Sequence, residues 1–372
     1  MNQVRVAFFI QVLNSFVGGI LSVALPLMMK ERNIDIVTIG FVFASMPMIF
    51  QLGRMFFATV SDFWGRKLFF VLNGFLAIIS NSIYYVAYTP LEFLFGKVME
   101  GTKDGSLWAV NRAFLLEESK EKWRSLVHLR TTAYISLAVG TLLSGFLLVW
   151  FFYEGTMMLS VLIGAFAIPL ALLLVSGRKK KLNASEALHF LDFRKKEKIF
   201  KIFLVLFFMM GLSFGFWSGF VFPLFLSENG FDSEAIGLIL GSQVLLAGVF
   251  SYLFARRFEI RKLILISGLL YTVVLVSLGF SSSLVAAILV ATYGIVDGLL
   301  SIGQEGILSK ITSKESYGID IGLLMMGLHG GRAVSLAMSG LLISMWGFAA
   351  PFLISGFIFT FFYAGCYIIL KE

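Results

Sequence analysis

The strongest constraint on this chain is its recurrence of long apolar runs separated by short charged segments. A helix needs roughly 20 apolar residues to cross a hydrocarbon core ~30 Å thick. Runs of that kind occupy 5–29, 36–60, 68–88, 91–115, 126–151, 155–176, 199–226, 235–255, 262–281, 283–308, 318–345 and 348–370. Between Lys262 and Lys310 the only charged residues are Asp297 and Glu305. At ~1.5 Å per residue that stretch crosses the core twice, with Ser281-Ser282-Ser283 as the turn. The fifth and sixth runs meet near Glu154-Gly155, and the last two near Gly347–Pro351. The first run is longer than a signal-peptide core and no small-residue cleavage pattern follows it, so it reads as a retained helix. The expected fold is all-α and integral to the membrane, with twelve transmembrane helices.

Composition agrees. The chain is 58% hydrophobic and 14% charged over 372 residues, against about 25% charged in a soluble domain. Its net charge of +8 does not point to nucleic acid, because the basic residues sit in short loops between apolar runs. Alternate loops carry Arg66 and Lys67; Lys120, Lys122 and Arg124; Arg178 to Lys181 with Arg194 to Lys201; Arg256 to Lys262; and Lys310 with Lys314. The opposite loops hold Lys30 and Arg32, offset by Glu31 and Asp35, and otherwise acids or no charge. Positive loops stay inside, so both termini are expected on the cytoplasmic side of the cell membrane. Cys366 is the single cysteine and can close no intrachain disulfide. The three histidines are scattered without metal-ligand spacing. No nucleotide-binding glycine loop or nucleophile motif is present, so neither an enzyme nor a cofactor is expected.

The chain repeats itself. Pro26-Leu27, Glu31, Asp35 and Ile39-Gly40 recur 197 residues later as Pro223-Leu224, Glu228, Asp232 and Ile236-Gly237. Arg66-Lys67-Leu68 recurs as Arg261-Lys262-Leu263, and Ser119-Lys120-Glu121 as Ser313-Lys314-Glu315. Ser144-Gly145 with Trp150 recurs as Ser339-Gly340 with Trp346. An ordered series of this kind predicts two six-helix halves of the same orientation. Their expected bounds are 1–176 and 199–372, joined by a basic cytoplasmic linker over 177–198 that lies at the headgroup surface.

Two parallel six-helix halves with a basic central loop resemble the major facilitator superfamily of transporters. The loop between runs two and three sharpens the resemblance. Ala58-x-x-x-Asp62-Phe63-Trp64-Gly65-Arg66-Lys67 matches the family's loop at the acid, the second glycine and both cations, and departs from it at Ala58 and Phe63. Run four has Lys97-x-x-Glu100-Gly101, then Arg112-Ala113, Glu117 and Arg124, where the family often has Arg-x-x-Gln-Gly and a later Arg-Ala, acid and Arg. The family's Gly-Pro antiporter pattern in the fifth helix is missing. The resemblance implies a cytoplasmic latch of Asp62, Gly65, Arg66, Lys67, Arg112, Glu117 and Arg124. In it Arg66 reaches Glu117, and Asp62 meets the start of the eleventh helix, favouring the outward-facing state.

Charges inside a bilayer are costly, on the order of 2.5–3.5 kcal/mol each, and persist where they pair or act. At helical spacing Lys97, Glu100, Asp104 and Asn111 share one face of run four with Trp108, and Lys103 lies to the side. Run ten carries Asp297 with Gln304 on its face, run eleven His329 and Arg332, run one Gln11 and Asn14, and run seven Trp217. Glu100 and Asp297 are themselves 197 apart. Some of these pairs only neutralise one another in the alternative reading, and His329, Trp217, Gln11 and Asn14 also suit helix packing. The expected function is alternating-access transport of a small polar or amphiphilic organic solute. Protons are the expected driving ion, with Asp297 the leading protonation site and the monomer the working unit. An uncoupled facilitator, or a sensor or lipid-handling protein on the same fold, are the alternatives.

Overall fold

In a computed structural model, the chain is described over residues 3–118, 122–175, 196–254, 259–312 and 317–370. It is nearly all helix. The elements are α1 (Gln3–Glu31), α2 (Ile36–Trp64), α3 (Arg66–Val86), α4 (Pro90–Glu118), α5 (Lys122–Leu172), α6 (Lys198–Gly215), α7 (Val221–Glu228), α8 (Ser233–Phe254), α9 (Ile260–Gly279), α10 (Ser283–Ile311), α11 (Tyr317–Trp346) and α12 (Ala349–Ile369). Ten stretches among the described residues are long and apolar enough to span a bilayer. One of them, within α5, is two crossings. Its backbone leaves the helical region at Phe152, with φ 56° and ψ −175°. Ser144 in the first arm bonds Ile20 O at 3.0 Å, and Leu172 at the end of the second accepts from Lys67 Nζ at 2.7 Å. The remaining crossing is α4, whose buried charges lower its hydropathy. Twelve transmembrane helices thus form two pseudo-symmetric six-helix bundles.

The expected turns at 281–283 and near Gly347–Pro351 fall between α9 and α10 and between α11 and α12. Run seven differs from expectation. It is divided into α6 and α7, because the chain turns through 216–220 with Gly219 at φ +68°. Residues 176–195, which hold most of the basic linker, lie outside the described residues.

The repeat has a physical basis in the helix ends and seams. Asp35 accepts from Thr38 N at 2.9 Å, and its counterpart Asp232 accepts from Ala235 N at 2.8 Å, so both acids cap the helices that follow them. Within the first half α1 packs on α5, α2 on α4, and α3 on both α4 and α5. The second half repeats this with α6 on α11, α8 on α10, and α9 on α10 and α12. The halves meet along two related seams, α2 against α11 and α5 against α8.

Those seams close most tightly on the face opposite the chain termini, here called the distal face. A Cβ on Gly145 would stand 2.1 Å from Ser233 O, and one on Gly340 would stand 2.4 Å from Ile36 O. Such distances permit no side chain. Toward the terminal face, Cβ atoms on Gly322 and Gly330 would meet nothing within 4 Å. There the halves touch through side chains: Arg130 Nη1 and Glu305 Oε1 at 2.7 Å, and Gln51 Nε2 donating to Gly322 O at 3.0 Å. Lys30 and Glu228 pair at 2.7 Å on the distal face.

Candidate transport site between the halves

The stripe on α4 is closed upon itself. Lys97 and Glu100 stand one helical turn apart and pair at 2.9 Å, both buried. Tyr84, on α3, donates its hydroxyl to the same Glu100 Oε2 at 2.6 Å. The Lys97 ammonium also lies 4.4 Å from the centre of the Phe43 ring, which packs on Phe220 of the other half. Lys103, only 1% exposed, pairs with Asp104 at 3.1 Å, and Asp104 accepts from Asn14 at 3.2 Å. Asn111 donates to Gln11 Oε1 at 2.9 Å, and Gln11 donates to Ser15. The interactions of Asn14 and Gln11 therefore fasten α1 to α4. A buried pair survives in low dielectric when further hydrogen bonds share its charge, and Tyr84 does that for Glu100.

The second half offers the opposite picture. Asp297 sits where the repeat places Glu100, yet among the described residues it makes no hydrogen bond and no ion pair. The residue equivalent to Lys97 is Gly294, again at the spacing of 197. A Cβ there would fall 2.0 Å from Gln243 O, so no lysine could stand beside Asp297. The cations close enough to act on Asp297 are Arg332 on α11 and Arg130 on α5. Arg332 donates Nε to Ser218 Oγ at 3.2 Å. Among the described residues, Gln304 reaches only the sulfur of Met325, at 3.7 Å. His329 packs its ring against Phe50 of the first half, centroids 5.2 Å apart, and its buried Nδ1 has no partner.

Trp217 belongs to an aromatic core. Its N–H donates to Tyr271 Oη at 2.9 Å and its ring lies 4.6 Å from that of Tyr293. The Tyr271 hydroxyl also meets Ser213 and Ser355 at 2.7 and 2.9 Å, which ties α6, α9 and α12 together. The Tyr293 hydroxyl, one turn from Asp297, is buried without a hydrogen-bond partner among the described residues.

At the loop between α2 and α3, Gly65 takes φ 88° and ends α2 where α3 begins. Arg66 bonds Ser61 and Asp62 and pairs with Glu117 of α4 at 3.0 Å. Lys67 holds the end of α5. Asp62 thus engages Arg66 in its own half, and it makes no hydrogen bond or ion pair to α11 among the described residues. The start of α11 carries an acid instead, Asp320, paired with Lys196 at 2.6 Å. That acid opposes a second one at the same helix end. Arg112 is exposed, and the Arg124 side chain lies outside the described residues.

Several participants escaped sequence reasoning. Tyr84, Tyr271 and Tyr293 carry no charge pattern. Arg54 and Arg130 did have a signal, each being a lone cation inside an apolar run.

The Major Facilitator Superfamily profile matches residues 7–247 and 206–372. The chain belongs to this superfamily. No curated protein matches it. Among solved structures, the superfamily fold is matched by the nucleoside transporter NupG, with TM-score 0.80, 15% identity and full coverage of both chains. The human organic anion transporter MFSD10 aligns with TM-score 0.72 and 15% identity over 97% of this chain and 98% of its own. A bacterial homologue of the human lysosomal transporter Spinster, inward-facing and unoccupied, aligns with TM-score 0.78 and 13% identity over 98% and 95%. Superfamily membership makes this chain a multi-pass membrane transporter of small molecules rather than an enzyme.

Proposed function

We propose that the chain is a proton-coupled secondary transporter of a small organic solute, working by alternating access. The halves are 1–176 and 199–372, joined by the basic segment 177–198, and the loop charges set both termini in the cytoplasm of a cell whose outer boundary is this membrane. The observation that carries the coupling is the contrast between the two repeated acids. Glu100 is held by Lys97 and Tyr84, whereas Asp297 has no bonded partner among the described residues. Desolvation favours a neutral carboxyl, and nearby cations or water favour the carboxylate. Asp297 is therefore the acid whose proton affinity changes when the halves rock and its surroundings change from wet to dry. A proton drives such an equilibrium only through this difference between states. The midplane position suits rocking of two repeats about a fixed site. The superfamily-like loop around Asp62 and Arg66 braces the first half as a latch, with the Arg66–Glu117 pair tying it to α4.

Flux into reconstituted vesicles, with and without an imposed pH gradient, tests the proposal. Asp297→Asn abolishes gradient-driven accumulation and leaves counterflow exchange intact. Undiminished accumulation by Asp297→Asn removes Asp297 from this role, and wild-type flux indifferent to the gradient removes proton coupling.

A further inference from the structure

The terminal side of the interface holds more positive than negative charge. Arg54 lies on α2, packed where that helix crosses Gly105 of α4. Among the described residues neither Arg54 nor Arg112 has a hydrogen bond or an ion pair. Both stand toward the terminal ends of helices that pack on each other. The acid that acts on Arg54 is Glu305, which is already paired with Arg130. Across the seam, His329 packs on Phe50, one turn from Arg54 on α2, and Arg332 follows His329 by one turn on α11. Its buried Nδ1 is unpartnered, and Arg332 spends one N–H on Ser218. At ~1.5 Å per residue, Arg112 lies about 9 Å from the terminal end of its helix, Arg54 about 15 Å, His329 about 18 Å and Arg332 about 22 Å. The three guanidiniums, with the His329 imidazole among them in depth, run from the terminal mouth to the level of Asp297.

Three guanidinium groups on this side of the interface, Arg54, Arg112 and Arg332, have no ion-paired acid among the described residues. Guanidinium groups match carboxylate and phosphate oxygens with paired hydrogen bonds. A cleft lined by one sign of charge also concentrates the opposite ion. We propose that the solute is an organic anion, bearing a carboxylate or phosphate group, bound between Arg54 and Arg112 of the first half and His329 and Arg332 of the second. This inference rests on the transporter reading above and names its substrate class. Because the anion touches both halves, it draws them together on the terminal side. Asp297 stays outside the anion's first contacts and repels it when ionised, which links anion binding to protonation.

The test uses purified full-length protein in nanodiscs of phosphatidylcholine, with succinate and phenyl phosphate as probes and succinamide as the uncharged control. Binding is read from Trp fluorescence and from the thermal shift. Succinate or phenyl phosphate binds, succinamide does not, and affinity falls with added salt. Arg54→Gln and Arg332→Gln each weaken binding about tenfold or more, in line with loss of a charge-assisted hydrogen bond. Arg54→Lys retains part of it, and Lys262→Gln, at an exposed cation on α9 away from the interface, changes nothing. Equal binding of succinamide, or unaltered binding by Arg54→Gln and Arg332→Gln proteins that still unfold cooperatively, overturns the proposal. So does absence of anion binding in phosphatidylcholine accompanied by arginine-dependent capture of phosphatidylglycerol, which would assign the cluster to a lipid headgroup. Anion binding without flux of any solute keeps the site and sinks the transporter reading. Flux of neutral or cationic solutes without anion binding does the reverse.

Discussion

Glu100 and Asp297 are repeat equivalents whose neighbours make them different acids. Lys97 and Tyr84 complete the first, and Gly294 leaves the second bare. Removing one member of a buried ion pair strands the other, at a cost of about 3–5 kcal/mol, whereas removing both is far milder. Lys97→Met is therefore strongly destabilising. The double change Lys97→Met with Glu100→Gln recovers most of the loss, since Tyr84 then meets a neutral amide. Unfolding of purified single and double variants in detergent measures this directly, and equal destabilisation of the two would show the pair to be uncoupled.

At the scale of elements, the repeated Ile-Gly and Ser-Gly motifs become the contact points of the seams. Gly237 of α8 faces Gly145 of α5, and Gly40 of α2 faces Gly340 of α11. Each motif of one half therefore meets the other motif of the opposite half, as a two-fold relation requires. A Cβ on Gly145 would lie 2.1 Å from a backbone oxygen that has no freedom to retreat. Gly145→Val is expected to hold the distal seam open. A Val37→Cys reporter on the other seam should then react several-fold faster with a membrane-impermeant maleimide. The native Cys366 is buried and gives little background. An unchanged labelling rate would mean that the two seams open independently.

For the whole molecule, the two faces are held by different interactions. Backbone-to-backbone packing and the Lys30–Glu228 pair close the distal face, while the Arg130–Glu305 pair spans the terminal face. Both pairs are substantially exposed, so each contributes no more than about 1 kcal/mol. That is still enough to move a balanced two-state equilibrium by up to about fivefold. Glu228→Gln should shift the population toward the distal-open state and Glu305→Gln toward the terminal-open state, as read by distances between spin labels placed on the two faces. Movement in the same direction for both variants would contradict a rocking-bundle motion.

The sequence alone determined the all-helical membrane fold, the two parallel halves and most of the charges at the interface. These follow from short-range physics: an apolar run long enough for a bilayer, a 3.6-residue period, and an ordered series of repeated residues. Tertiary structure decided which charges are already spoken for. Lys97 and Glu100 stood on one face in the sequence, but Tyr84, which completes them, comes from another helix. Asp297 looked like the twin of Glu100 until the approach of α8 at Gly294 left no room for a partner. Asp62 was expected at α11, where Asp320 already occupies the first turn with Lys196. Arg54 and Arg112 were two unrelated cations until the packing of α2 on α4 at Gly105 set them on neighbouring helices. Pairing depends on which helices cross and at what depth, and a one-dimensional period carries neither quantity.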